Sequence, residues 1–154
     1  MKNRLHANGI AALLLTLLIT AASTESPVAD AAQRNDTETV RALLRDGSDV
    51  NGAQGDGMTA LHWAGMQGNA AMVEVLLYAG ANSEATTRLG GFTALHLASK
   101  NGHAEAITTL AGAGADATSR TTTGATPLHL AAASGSAGAV SALVASGAQV
   151  DATE

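Results

Sequence analysis

The sequence predicts an all-α solenoid: helix-turn-helix units stacked in a row and joined by projecting loops or β-hairpins. Three observations predict it. First, Thr59-Ala60-Leu61-His62-Trp63-Ala64 recurs as Thr93-Ala94-Leu95-His96-Leu97-Ala98 and as Thr126-Pro127-Leu128-His129-Leu130-Ala131, at spacings of 34 and 33 residues. A string repeated at a fixed period marks a unit too small to bury its own apolar face, so neighbouring units must bury it. Second, Gly68, Gly102 and Gly135 take one place in successive units, and Gly80, Gly114 and Gly147 take another. Third, between these glycines stand Val73, Ile107 and Val140, then Leu76-Leu77, Leu110-Ala111 and Leu143-Val144, at the spacing of one helix face.

The N-terminus reads as an address. Lys2 and Arg4 give a positive start, and residues 10–22 are apolar apart from Thr16 and Thr20. Small residues follow, with cleavage expected after Ala22 or Ser23. That is the layout of a secretory signal peptide over residues 1–22. The apolar stretch is shorter than the ~20 residues of a spanning helix, so no membrane attachment is expected after cleavage. There is no cysteine, which rules out disulfide frameworks, thiol chemistry and a lipid-anchored new N-terminus. The formal charge is −5, and losing Lys2 and Arg4 leaves six basic against thirteen acidic residues. No basic run exists, so no nucleic-acid surface is expected.

The repeat domain is expected over residues 26–154. The first unit, 26–58, is a degenerate cap. Ser26-Pro27 takes the threonine place, Asn35 the first glycine, Val40 the branched residue, Leu43-Leu44 the apolar pair and Gly47 the last glycine. Units 59–92, 93–125 and 126–154 follow. In each, Ser26, Thr59, Thr93 or Thr126 suits a helix N-cap, because a hydroxyl can accept from an orphan backbone N–H. Pro27 and Pro127 sit at the first helical position, where a missing N–H costs nothing. Gly68, Gly102 and Gly135 are expected to end the first helix in a left-handed conformation, with Asn35 the residue best able to stand in. Ala64, Ala98 and Ala131 keep the first helix thin. The polar connections 49–58, 82–92 and 116–125 read as extended loops or hairpins, the second longer by one residue.

The period, the T-A/P-L-H-x-A string, the turn glycine and the Gly-Ala before each loop resemble ankyrin repeats, over 26–154. The resemblance implies antiparallel helix pairs stacked side by side, with loops projecting at about a right angle. It also implies a concave face of loop tips and first helices that binds another protein. Exported bacterial ankyrin proteins share the layout, which implies the periplasm in a Gram-negative cell and secretion otherwise. The first unit lacks the histidine, as suits a cap facing water. The last unit stops at Val150 to Glu154 with no polar cap after it. The array is therefore expected to continue beyond Glu154. The alternative to a scaffold that only binds is the N-terminal fragment of a longer ankyrin protein carrying a further effector or enzyme domain. Were the end natural, the chain would be a monomer unless the uncapped unit pairs.

No chemistry is expected. His62, His96 and His129 occupy one place in successive units, but packed helices lie about 8–10 Å apart and a metal needs nitrogens about 2 Å away. One ion cannot bridge them. The resemblance implies instead that each imidazole ties its threonine (Thr59, Thr93, Thr126) to neighbouring backbone. Gly112-Ala113-Gly114-Ala115-Asp116-Ala117 mimics a dinucleotide fingerprint, yet follows a helix rather than joining a strand to one. No catalytic residue, metal site or cofactor is expected. What remains is a protein partner. The residues expected to meet it are the loop positions Gln54, Asp56, Met58, Thr87, Arg88, Leu89, Phe92, Arg120, Thr122 and Thr123. The helix positions Met66, Gln67, Lys100 and Asn101 join them. Arg88, Leu89 and Phe92 form the centre, since aromatic, Met and Arg side chains are enriched at interface centres.

Overall fold

In the computed structural model residues 26–150 are described. They form eight helices in four antiparallel pairs, with no named strand among them. The pairs are α1 (Pro27–Gln33) with α2 (Thr37–Arg45), α3 (Ala60–Gln67) with α4 (Ala70–Tyr78), α5 (Ala94–Lys100) with α6 (Ala104–Gly112), and α7 (Pro127–Ser134) with α8 (Ala137–Ala145). α1 packs on α3, α3 on α5 and α5 on α7, while α4 packs on α6 and α6 on α8. The fold is the expected all-α solenoid of stacked helix pairs. The signal peptide expected over residues 1–22 lies outside the described residues. No described helix is long and apolar enough to cross a membrane.

Helices of seven to nine residues are too short to persist alone in water, so tertiary burial must hold them. Leu61, Leu95, Val73, Ile107, Leu76 and Leu110 are all essentially fully buried between layers. Alanines at Ala60, Ala64, Ala94 and Ala98 are equally buried and keep the first helices close. At Gly65 the backbones come so near that a Cβ would lie 2.7 Å from the Ala94 carbonyl oxygen.

The turns follow one rule. Gly68, Gly102 and Gly135 have φ between 71° and 74°, and Asn35 replaces them at φ 59°, the one positive-φ residue other than glycine among those described. A left-handed residue there lets the next amide reach back to the first helix, as Asn69 N–H does to the Ala64 carbonyl at 3.0 Å. The residue that follows caps or opens the second helix and also ties layers. Asn69 Nδ2 donates to Asn35 Oδ1 at 2.8 Å, His103 Nε2 contacts the Met66 carbonyl at 3.0 Å, and Ser136 Oγ donates to the Gly102 carbonyl at 3.1 Å.

Among the described residues the last layer is covered on one side only. Leu143 is fully buried, whereas Leu128 and Val140 are half-buried and Val144 is exposed. Leu128, Val140 and Val144 line an apolar depression on the end face together with Ala132 and Val150.

Candidate functional site: the hairpin face

The histidines build the scaffold of this face. His62 and His96 are buried. His62 Nδ1 lies 3.1 Å from the Thr59 amide and 2.8 Å from Thr59 Oγ1, and His62 Nε2 lies 2.9 Å from the Phe92 carbonyl of the next unit's loop. An amide can only donate and a carbonyl can only accept. The ring is therefore protonated at Nε2, and Nδ1 accepts from Thr59. His96 repeats the pattern with Thr93 and the Ser119 carbonyl at 3.1 Å. His129 Nδ1 accepts from the Thr126 amide at 3.1 Å. Burial pushes the His62 and His96 imidazoles below the ordinary histidine value, against the opposing pull of the loop carbonyls and nearby carboxylates. Both nitrogens of His62 and of His96 are thus committed to the protein.

His62 and His96 each anchor the foot of the following hairpin, and the hairpins close on themselves. Gln54 N–H donates to the Met58 carbonyl, Thr87 N–H to the Phe92 carbonyl and Thr121 N–H to the Ala125 carbonyl, each at 2.9 Å. The tips then join across layers: Arg88 N–H donates to the Asp56 carbonyl at 2.9 Å, and Thr122 N–H to the Gly90 carbonyl at 3.0 Å. The extra residue of the longer loop is absorbed at Gly90-Gly91, both at positive φ. The tips form one continuous row fixed by backbone bonds.

This row carries many of the expected contact residues outward. Leu89 is 81% exposed. Asp56, Arg88, Lys100, Asn101, Arg120, Thr122 and Thr123 are also exposed. Phe92 is half-buried, edge-on to the His96 ring with centroids 6.3 Å apart, and Lys100 Nζ sits 5.4 Å from the centre of its ring. Met66 is half-buried.

Two residues expected at the contact surface are not on it. Met58 is buried, because the place before the motif threonine (Met58, Phe92, Ala125) is where the hairpin folds onto the first helix. Thr87 is buried because its hydroxyl pins the hairpin: it donates to the Leu89 carbonyl at 2.8 Å and accepts from the Phe92 amide at 3.1 Å. Gln54 and Gln67 are tied into the protein itself. Gln54 Nε2 donates to Asp30 Oδ1 at 2.6 Å, Trp63 Nε1 donates to Gln54 Oε1 at 2.8 Å, and Gln67 Nε2 donates to the Gln33 carbonyl at 2.9 Å.

On the opposite face, Tyr78 is 96% exposed beside a groove of about 500 Å³ between α2 and α4, lined by Arg41, Leu44, Arg45 and Val75. One signal of it is visible in the repeat alignment. Tyr78 stands where Gly112 and Ala145 stand in the next two units.

Four stacked helix pairs with histidine-anchored hairpins define a class, and comparison agrees. The family model described as Ankyrin repeats (3 copies) matches residues 5–87 and 82–154. The chain belongs to the ankyrin repeat family. Potassium channel AKT3 of Oryza sativa subsp. japonica is 45% identical over 56 residues, 36% of this chain and 6% of the channel. Potassium channel AKT1 of Oryza sativa subsp. indica is 46% identical over 52 residues, 34% of this chain and 6% of the channel. The aligned part of the chain thus covers only 6% of the length of these curated relatives. Ankyrin repeats form protein–protein interaction scaffolds, and the fold typically does no chemistry.

Proposed function

We propose that the chain is an exported, non-catalytic scaffold that holds a protein partner on its hairpin and first-helix face. One observation carries the reading. The residues that build the stack are consumed by it, while Arg88 and Leu89 project from a row of tips whose backbone is already bonded. A pre-ordered row loses little conformational entropy on binding, and an exposed Leu beside Arg supplies contact area and charge. Export rests on the positive, apolar, then small-residue order of the first 23 residues.

Two experiments test this. Affinity capture from the native cell envelope should recover a partner with the wild-type chain and much less of it with R88A/L89A. Equal capture by the variant sinks the hairpin face as the site. N-terminal sequencing of the chain from fractionated cells should find a start just after Ala22 or Ser23. A full-length cytoplasmic chain counts against export.

A further inference from the structure

Charge is distributed unevenly over the stack. Six basic residues lie in the described part of the chain: Arg34, Arg41 and Arg45 in the first unit, then Arg88, Lys100 and Arg120. The last three belong to two adjacent hairpins and the first helix between them. Thr122 N–H bonds the Gly90 carbonyl, which joins the hairpin tips that follow Arg120 and Arg88. Lys100 folds back over Phe92, at the foot of the hairpin that bears Arg88. Residues 85–104 and 117–150 contain no carboxylate at all. The acids of these layers, Glu74, Glu84, Glu105 and Asp116, stand on α4 and α6 and at the loop bases, and Glu84 and Asp116 are tied to each other through the Asp116 amide. The nearest acid along the row of tips is the exposed Asp56 of the preceding hairpin, whose carbonyl takes the Arg88 amide. Among the described residues the one ion pair is Arg41 with Glu38. Arg88, Lys100 and Arg120 are thus exposed and, among the described residues, without a carboxylate partner, although Arg120 Nη1 donates to the Gly124 carbonyl of its own hairpin at 2.8 Å, on a chain whose formal charge is −5. Leu89 stands among them, 81% exposed.

Unpaired like charges gathered on one face of an oppositely charged molecule set up a local field of the minority sign. That field attracts a complementary patch and repels a basic one. Three cations are too few for a polyanion whose affinity rests on many phosphate contacts. The exposed Leu89 also asks for an apolar side chain, which a phosphate backbone does not offer. We infer that the partner of the hairpin face is an acidic protein segment that places an apolar side chain against Leu89 and its carboxylates against Arg88, Lys100 and Arg120. This rests on the reading of the hairpin face as the partner site and names the chemistry that the site selects.

The test uses fluorescence anisotropy with a labelled peptide of Asp and Glu around a central Leu. A Lys counterpart of the same length and a single-stranded oligodeoxynucleotide serve as rivals. The wild-type chain should bind the acidic peptide in preference to both, and more weakly as salt rises, since screening shortens the reach of exposed charges. R88E/K100E/R120E should weaken that binding by about tenfold or more at low salt, and L89S should weaken it at every salt concentration. R88Q/K100Q/R120Q serves as the neutral variant, and thermal unfolding by circular dichroism confirms that each variant keeps its fold. Equal binding by wild type and R88E/K100E/R120E, preference for the Lys peptide or the oligonucleotide, or no binding of the acidic peptide at any salt overturns the inference. A partner that is lost with R88A/L89A but indifferent to R88E/K100E/R120E would overturn the acidic chemistry alone and leave the site standing.

Discussion

Replacing His96 with alanine tests how the hairpins are held. His96 is fully buried. Its Nδ1 takes the Thr93 amide at 3.2 Å and the Thr93 hydroxyl at 2.8 Å, and its Nε2–H reaches the Ser119 carbonyl at 3.1 Å. H96A leaves the amide and the carbonyl without these partners, and each unsatisfied buried group costs about 1–3 kcal/mol. The empty ring volume adds a cavity term, while alanine recovers about 0.6 kcal/mol of helix propensity. The net loss should be about 3–5 kcal/mol, a large part of the ~5–15 kcal/mol that holds a typical domain. Urea unfolding followed by circular dichroism, with Trp63 fluorescence as a second probe, measures it. H129A, in a half-buried histidine of the end layer, should cost less. A loss below about 1 kcal/mol for H96A would refute the anchoring argument.

The same histidine makes a pH prediction. Its folded-state pKa lies below the ordinary value, so between the two the unfolded chain binds more protons. Stability is then full above about pH 6.5 and falls as the pH drops below it, by up to about 1.4 kcal/mol per pH unit for each such histidine. H96A should flatten this slope by one histidine's share, measured as urea midpoint against pH, and an unchanged slope contradicts the assignment. I107A, in a side chain sealed between layers, should cost about 2–5 kcal/mol, and V140A on the open end face clearly less; equal losses by thermal unfolding would mean that the layers do not seal one another. G65A should destabilise by about 1–3 kcal/mol despite alanine's better propensity, because its Cβ meets the Ala94 carbonyl; a stabilised variant refutes that close approach. N35A should cost about 1–2 kcal/mol for a left-handed alanine while N35G costs less, and the reverse order in a denaturant series refutes the turn geometry.

The architecture was legible because the period is written in residues with strict local roles. Thr93 and Thr126 bond their His at the helix start, Gly68 and Gly135 end the helix at positive φ, and Asn35 does so where glycine is missing. Those roles depend on neighbours a few residues away, which the sequence displays directly. The contact surface was less legible. Arg88, Leu89, Lys100 and Arg120 are exposed as expected, but Met58 and Thr87 are buried by pairings inside the hairpin. Whether a loop side chain points in or out depends on which side of a hairpin it occupies, and three short loops of uneven length do not show that register. The alignment of Met58 with Phe92 and Ala125 held a partial signal. Gln54 and Gln67 bond Asp30 and Gln33 from the preceding unit, a link between residues more than twenty apart that composition cannot reveal.

The binding face exists only if the hairpin tips are locked to one another across layers. Amide hydrogen exchange of Arg88 and Thr122, read by NMR, measures that most directly. Both amides should exchange far more slowly than an unstructured loop would, because each is bonded to the carbonyl of the adjacent hairpin. Exchange at the rate of a free peptide at both positions would contradict the stacked row and the binding face built on it.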